Sequence, residues 1–132
     1  MKTDRELHHF ITEEHRYRIL QSILEHTDQL PTQFEIAQFC PDLSQKDVAA
    51  YLTELIDANL VREIELAPAE QKEGYPSSFY GVSGHGFRFL MNHDLLDSEG
   101  IVQRWRDAEV DDPMTLAKHE AAPRPEDVDV FQ

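Results

Sequence analysis

The chain has 132 residues, enough for one hydrophobic core and too few for two. Twelve Lys and Arg against 26 Asp and Glu give a formal charge of −14 at pH 7, the opposite sign from an ordinary phosphate-binding protein. A single cysteine, Cys40, excludes an internal disulfide framework, and no segment approaches the roughly 18 apolar residues of a membrane span.

The first ten residues, M-K-T-D-R-E-L-H-H-F, lack the apolar run of a signal peptide, so a cytoplasmic location is expected. Thr3 with Glu6 makes a capping box ahead of Leu7, Phe10 and Ile11, and residues 1–12 read as an N-terminal extension or helix. Thr12, followed by Glu13 and Glu14, offers a second start, which leaves open one long helix or two shorter ones up to about His26. Ile19, Leu20, Ile23 and Leu24 are the inner face of the first core helix. Thr32 with Glu35 caps the next helix, whose inner positions are Ile36, Phe39 and Cys40; Pro41 stops it, and Cys40–Leu43 forms a turn.

Ser44 to Val61 is the most informative stretch. Ser44 caps a helix with Asp47 in the capping-box position, and Leu43 and Val48 stand where a hydrophobic staple sits. Val48, Leu52, Leu55 and Ile56 form one apolar stripe, leaving Gln45, Lys46, Ala49, Ala50 and Thr53 on a small, polar, open face. Asn59 can end the helix in the left-handed conformation, with Leu60 folding back on Leu55. Val61 to Val82 then reads as a β-hairpin around the Pro- and Gly-punctuated loop Ala67 to Ser78. Ser83 caps a further helix, with Val82 and Phe87 as a second staple and Phe87, Leu90 and Met91 as its stripe. Asp97-Ser98 starts a helix over 97–110 that carries Ile101, Val102, Trp105 and Ala108. From Glu109 onward seven acids face two bases, Lys118 and Arg124, and three prolines interrupt the chain. Residues 111–132 therefore read as an acidic, partly mobile tail in which Asp112-Pro113 opens at most one short helix.

The motifs S-x-x-x-V-x-x-Y-L-x-x-L-x-x-x-N-L-V from Ser44 and Y-x-V-S-x-x-G-x-x-x-L from Tyr80, at this spacing, resemble the winged helix-turn-helix of microbial transcription regulators of the ArsR, MarR and PadR-like families. The resemblance implies a mainly α fold with a small β-hairpin wing over residues 13–96, with additional N- and C-terminal helices. It implies double-stranded DNA as partner, read by the N-terminal part of the second helix of the motif. The candidate contacts are Ser44, Gln45, Lys46, Ala49, Ala50 and Thr53, with Thr32 and Gln33 at the start of the preceding helix. Gln45 suits adenine, Lys46 guanine or phosphate, and Ala49 or Thr53 a thymine methyl. Arg16 and Arg18 on the first core helix and Arg62, Gln71 and Lys72 on the hairpin complete the set; each reads equally as a phosphate contact or as half of an ion pair. In such families terminal helices commonly build a homodimer, here through Leu7, Phe10, Ile11, Leu95, Ile101, Val102 and Trp105. A winged-helix module that docks protein instead of DNA is the alternative; an apolar exposed face would favour it.

Acids spread over every segment, with only four lysines among the twelve bases, resemble the surfaces of proteins from extreme halophiles. In molar salt the Debye length is roughly 3 Å, so DNA binding there rests on short-range contacts. Bound potassium, sodium or chloride ions could bridge carboxylates such as Asp42, Asp47, Glu70 and Glu73 to the duplex. No other cofactor and no small-molecule ligand is expected. Cys40 has two readings, a packed thiol or a redox switch of the kind that would suit an oxidative-stress regulator, and packing is favoured. The seven histidines include no i, i+4 pair and no companion cysteines, which argues against a metal site. There is no nucleophile motif and no glycine-rich phosphate loop, so an enzyme is not expected.

Overall fold

The computed structural model describes residues 3–26, 29–96 and 113–125. Six α-helices and a two-stranded sheet appear in the order α1 (Asp4–Ile11), α2 (Glu14–Glu25), α3 (Gln33–Gln38), α4 (Gln45–Asp57), β1 (Val61–Glu65), β2 (Ser78–Val82), α5 (Gly84–Asn92) and α6 (Pro113–Ala121) among the described residues. This is a winged helix-turn-helix, with α2, α3 and α4 as the helical core and the hairpin as the wing.

The N-terminal helices are two pieces, and Thr12 is not the second cap. Its hydroxyl turns back to the His8 carbonyl at 2.8 Å and closes α1, while Glu13 in extended conformation accepts the Arg16 amide at 3.0 Å and opens α2. On α2 the expected Ile19, Leu20, Ile23 and Leu24 are buried, joined by Gln21 and Ser22. Burying those polar groups is tolerable because both are satisfied. Gln21 Nε2 donates to the Leu95 carbonyl at 2.7 Å, where the Tyr17 hydroxyl also arrives at 2.7 Å, and Ser22 donates to the Arg18 carbonyl.

Both helices of the central motif start in full capping boxes, Thr32 with Glu35 and Ser44 with Asp47. The end of α4 is a Schellman motif: Asn59 sits at φ 61°, its amide bonds to the Ile56 carbonyl and the Leu60 amide to the Leu55 carbonyl, both at 2.9 Å. The strands pair antiparallel, Val61 opposite Val82 through Glu65 opposite Ser78, and the wing loop contains a 3-10 turn at Pro68–Glu70. Pro31, just before α3, accepts the Tyr80 amide at 2.9 Å and so ties that segment to β2. Ser83 receives the Gly86 amide at 3.0 Å and donates to the Asn59 carbonyl at 2.7 Å. Gly86 is required by that junction, since a Cβ there would lie 2.7 Å from the Leu60 carbonyl oxygen.

The main core gathers Ile11, Ile19, Leu20, Ile23, Ile36, Cys40, Val48, Leu52, Leu55, Leu60, Val82 and Leu90. A second cluster of Leu30, Leu66, Phe79 and Ala122 lies under the wing, with Ile64 and Tyr75 at its edge. Two expectations are corrected. The inner face of α5 is Gly86, Phe89 and Leu90, and Met91 is 53% exposed, because the helix starts at Gly84 and turns Met91 outward. Leu7 and Ile11 are not surplus apolar surface awaiting a partner subunit; they fill the core of this chain. The short helix expected to open at Asp112-Pro113 is present as α6, which packs on α3, and Ala122 enters the second cluster. The helix expected over 97–110, with Ile101, Val102 and Trp105, lies outside the described residues. No helix among the described residues is long and apolar enough to cross a membrane.

Candidate nucleic-acid interface

The capping box at Ser44 fixes where α4 begins and therefore which side chains stand free on its first turns. Gln45, Lys46, Ala50 and Thr53 are exposed and Ala49 is half-buried, opposite the buried Val48, Leu52 and Leu55. Ser44 itself is exposed, but its hydroxyl accepts the Asp47 amide at 3.1 Å. Gln33 Nε2 reaches from α3 to the Gln45 carbonyl at 3.0 Å and to its Oε1 at 3.2 Å, so the first residues of α3 and α4 form one surface. The Thr53 hydroxyl returns to the Ala49 carbonyl, which leaves its methyl as the group presented outward. Lys46 has no ion pair among the described residues.

Elsewhere the structure separates residues that the sequence grouped. Thr32 is buried, 2% exposed: its hydroxyl accepts the Glu35 amide and meets His119 Nδ1 at 2.7 Å. It holds α3 and α6 together and faces no solvent. Arg16 and Arg18 are half-buried and engaged in ion pairs. Arg16 stacks on Phe10 at 4.2 Å and pairs with Glu54 of α4 at 3.0 Å. Arg18 pairs with Glu14 and with Asp42 in the helix-helix turn, each at 2.8 Å. The ion-pair reading describes both.

Asp42 also meets His15 Nε2 at 2.8 Å, while His15 Nδ1 lies 3.1 Å from Glu13 and 3.3 Å from the Tyr51 hydroxyl. The hydrogen bond to Asp42 raises the His15 pKa above 6.5, with the charges of Glu13 and Asp42 outweighing the opposing desolvation. The same His15 bond, with Arg18 beside it, holds the Asp42 carboxyl below its ordinary value. Asp42 and Asp47 are thus engaged within the fold, whereas Glu70 and Glu73 stand exposed on the wing.

On the wing, Arg62 is half-buried opposite Gly81, and Gln71 donates to the Leu66 carbonyl at 2.9 Å. The Lys72 ammonium lies 4.6 Å from the centre of the Tyr75 ring. The position that sequence reasoning missed is Lys118 on α6, whose ammonium comes 5.6 Å from that same ring. Only the scarcity of lysine in the chain could have singled it out.

Leu95 is half-buried against the core and Phe10 lies beneath Arg16, so of the dimer candidates within the described residues none is freely exposed. Cys40 is fully buried. Among the described residues no group of three or more His, Cys, Asp or Glu is placed to hold a metal ion.

Neither a family model nor a curated protein matches the chain. Among solved structures, the chain is similar to one described as a protein with a GntR superfamily winged-helix-turn-helix domain from Halomicrobium mukohataei, at TM-score 0.76 and 24% identity, covering 96% of this chain and 87% of that one. The likeness covers nearly the whole chain, and it establishes the winged helix-turn-helix fold.

Proposed function

We propose that this chain is a sequence-specific DNA-binding transcription regulator, adapted to high salt, that acts as a homodimer on a palindromic operator. The observation that carries the reading is the N-terminal face of α4, with Gln45, Lys46, Ala50 and Thr53 exposed and polar or small, on a helix whose start is fixed by its capping box and by Gln33. Such a face can enter a major groove without steric conflict. The charge of −14 and the source of the similar structure, a haloarchaeon, support the high-salt setting. That structure's description points to the GntR superfamily in preference to the ArsR, MarR and PadR-like group. A role in oxidative stress has no support from the buried Cys40.

Dimerisation draws support from α5 and its exit, where Met91 and Leu96 are exposed just before the apolar positions Ile101, Val102 and Trp105. The protein-docking alternative would want apolar side chains on the open face of α4. The large exposed apolar residues among those described are Met91, Leu96 and Met114, all elsewhere.

Selection of duplexes from a random-sequence pool, followed by a binding titration, tests the proposal. Gln45→Ala with Lys46→Ala should abolish binding to the selected duplex while the circular dichroism spectrum is unchanged. Undiminished affinity in that variant would move the recognition surface away from α4.

A further inference from the structure

In a protein with 26 acidic residues, Arg16, Arg18 and Arg124 each sit in ion pairs. Lys72 and Lys118 differ. Both are exposed, neither has a carboxylate partner among the described residues, and both ammonium groups converge on one ring, at 4.6 Å and 5.6 Å from the centre of Tyr75. Gly74, at φ 82°, brings the wing backbone so near α6 that a side chain there would lie 3.4 Å from the Lys118 ammonium. The ring attracts each cation, and the two ammonium groups together make a local excess of positive charge that would attract an anion placed near both.

The location of this pair follows from the contacts that lead to it. Lys118 precedes His119, which bonds Thr32 and stacks on Phe34 at 4.8 Å; Gln33, between those two, reaches Gln45 on α4. The helix α6 therefore continues the surface from the start of α4, across the start of α3, to the wing. We infer that Lys118 and Lys72, converged on Tyr75, grip a backbone phosphate of the bound duplex, so that the C-terminal helix is part of the DNA interface. This rests on the DNA-binding reading above and adds a second element, far along the chain, to the same contact. A phosphate group offers several acceptor oxygens, so both flexible lysine side chains can donate to it. It carries no sequence information, so the site adds affinity without adding base preference.

The test is a titration by fluorescence anisotropy at one fixed potassium chloride concentration, against a duplex selected by the protein and a scrambled version of it. Lys118→Gln should weaken both duplexes by the same factor, roughly tenfold, leaving their ratio unchanged. Lys118→Arg should restore the loss, and Arg88→Gln, which removes an exposed charge from α5, should have no comparable effect. Combining Lys72→Gln with Lys118→Gln should cost less than the product of the single losses, because both side chains serve one phosphate. If Lys118→Gln binds like the parent while Lys46→Ala does not, the C-terminal helix lies outside the interface and this inference is wrong although the DNA-binding proposal stands. A parent protein that retains no duplex from the pool overturns both.

Discussion

Arg124 and Glu35, 89 residues apart in the chain, meet as an ion pair whose side chains are only 8% and 3% exposed. Glu35 is the third residue of α3 and completes its capping box; Arg124 follows α6 and also donates to the Leu30 carbonyl at 3.0 Å. His26 joins from the end of α2 at 2.7 Å. One carboxylate thus ties the end of α2, the start of α3 and the residue that follows α6.

Removing that carboxylate takes an acceptor from three buried groups, His26, Arg124 and the Thr32 amide. Glu35→Ala should destabilise the fold by about 3–5 kcal/mol in urea denaturation, the range for breaking a buried pair from one side. Arg124→Ala should cost less, since Glu35 keeps His26 and the Thr32 amide, and should chiefly free α6 to proteolysis. Equal losses in the two variants would contradict this ranking.

The pH dependence has two limbs. Burial works to raise the Glu35 pKa, but hydrogen bonds from His26 and Thr32 with the charges of His26 and Arg124 outweigh it and hold the group below 4.5. His119 is held below 6.5 by burial first, then by Arg124 and Lys118, against the opposing charge of Glu35. Both groups have lowered folded values, so their stabilisation is complete above the unfolded values and is lost as pH falls through the folded ones. Protonated His119 can no longer accept the Thr32 hydroxyl, so α6 should begin to loosen below about pH 6.5. His15 is raised, and its contribution should be full below 6.5 and fade as pH climbs through its folded value. The protection factor of the Ala122 amide, taken relative to its intrinsic exchange rate at each pH, should fall on acidification, and His15→Gln should flatten only the alkaline limb.

Salt should act unusually. Neutralising phosphates releases condensed cations, so ordinary binders weaken steeply as salt rises. With Asp42 and Asp47 engaged internally, cation uptake between protein and duplex would fall to Glu70 and Glu73 beside Lys72. Affinity should then stay flat or rise towards molar potassium chloride, and Glu70→Gln with Glu73→Gln should restore part of the ordinary negative slope. A steep loss in the parent protein would confine the acidic surface to solubility.

Sedimentation at molar salt should find a dimer at micromolar concentration. Met91→Glu with Leu96→Glu should shift it to monomer, whereas Leu7→Ala should lower stability without changing assembly, because Leu7 packs inside the chain.

Gly86→Ala should destabilise by about 1–3 kcal/mol, as overpacking does, because its Cβ would press on the Leu60 carbonyl and on Val82 Cγ1. Thermal denaturation beside the exposed Ala50→Gly in α4 separates this clash from ordinary helix propensity.

The central motif was legible because its signals are local. Caps at Thr32, Ser44 and Ser83, the stripe on α4 and the left-handed Asn59 all act within a few residues, and all are present. Thr12 misled because its hydroxyl had a competing partner one turn back, the His8 carbonyl. Arg16, Arg18 and Thr32 looked available for DNA because their partners, Glu54, Asp42 and His119, lie from 24 to 87 residues away. The docking of α6 was hidden for the same reason, since no spacing in an acidic, proline-broken segment announces an arginine that will return to Glu35. Lys118 became a candidate only when that docking placed it beside the wing.

Leu60 is a shared anchor: its carbonyl accepts the Ser83 amide at 2.9 Å and lies under Gly86, while its amide closes α4. Both ends of the wing are therefore fastened to the same residue that terminates α4. Whatever happens between Leu66 and Ser77, the aim of α4 is set at the base. On the proposed reading, lengthening or shortening the loop from Gln71 to Tyr75 should alter the grip on a duplex while the sequence read by α4 stays the same.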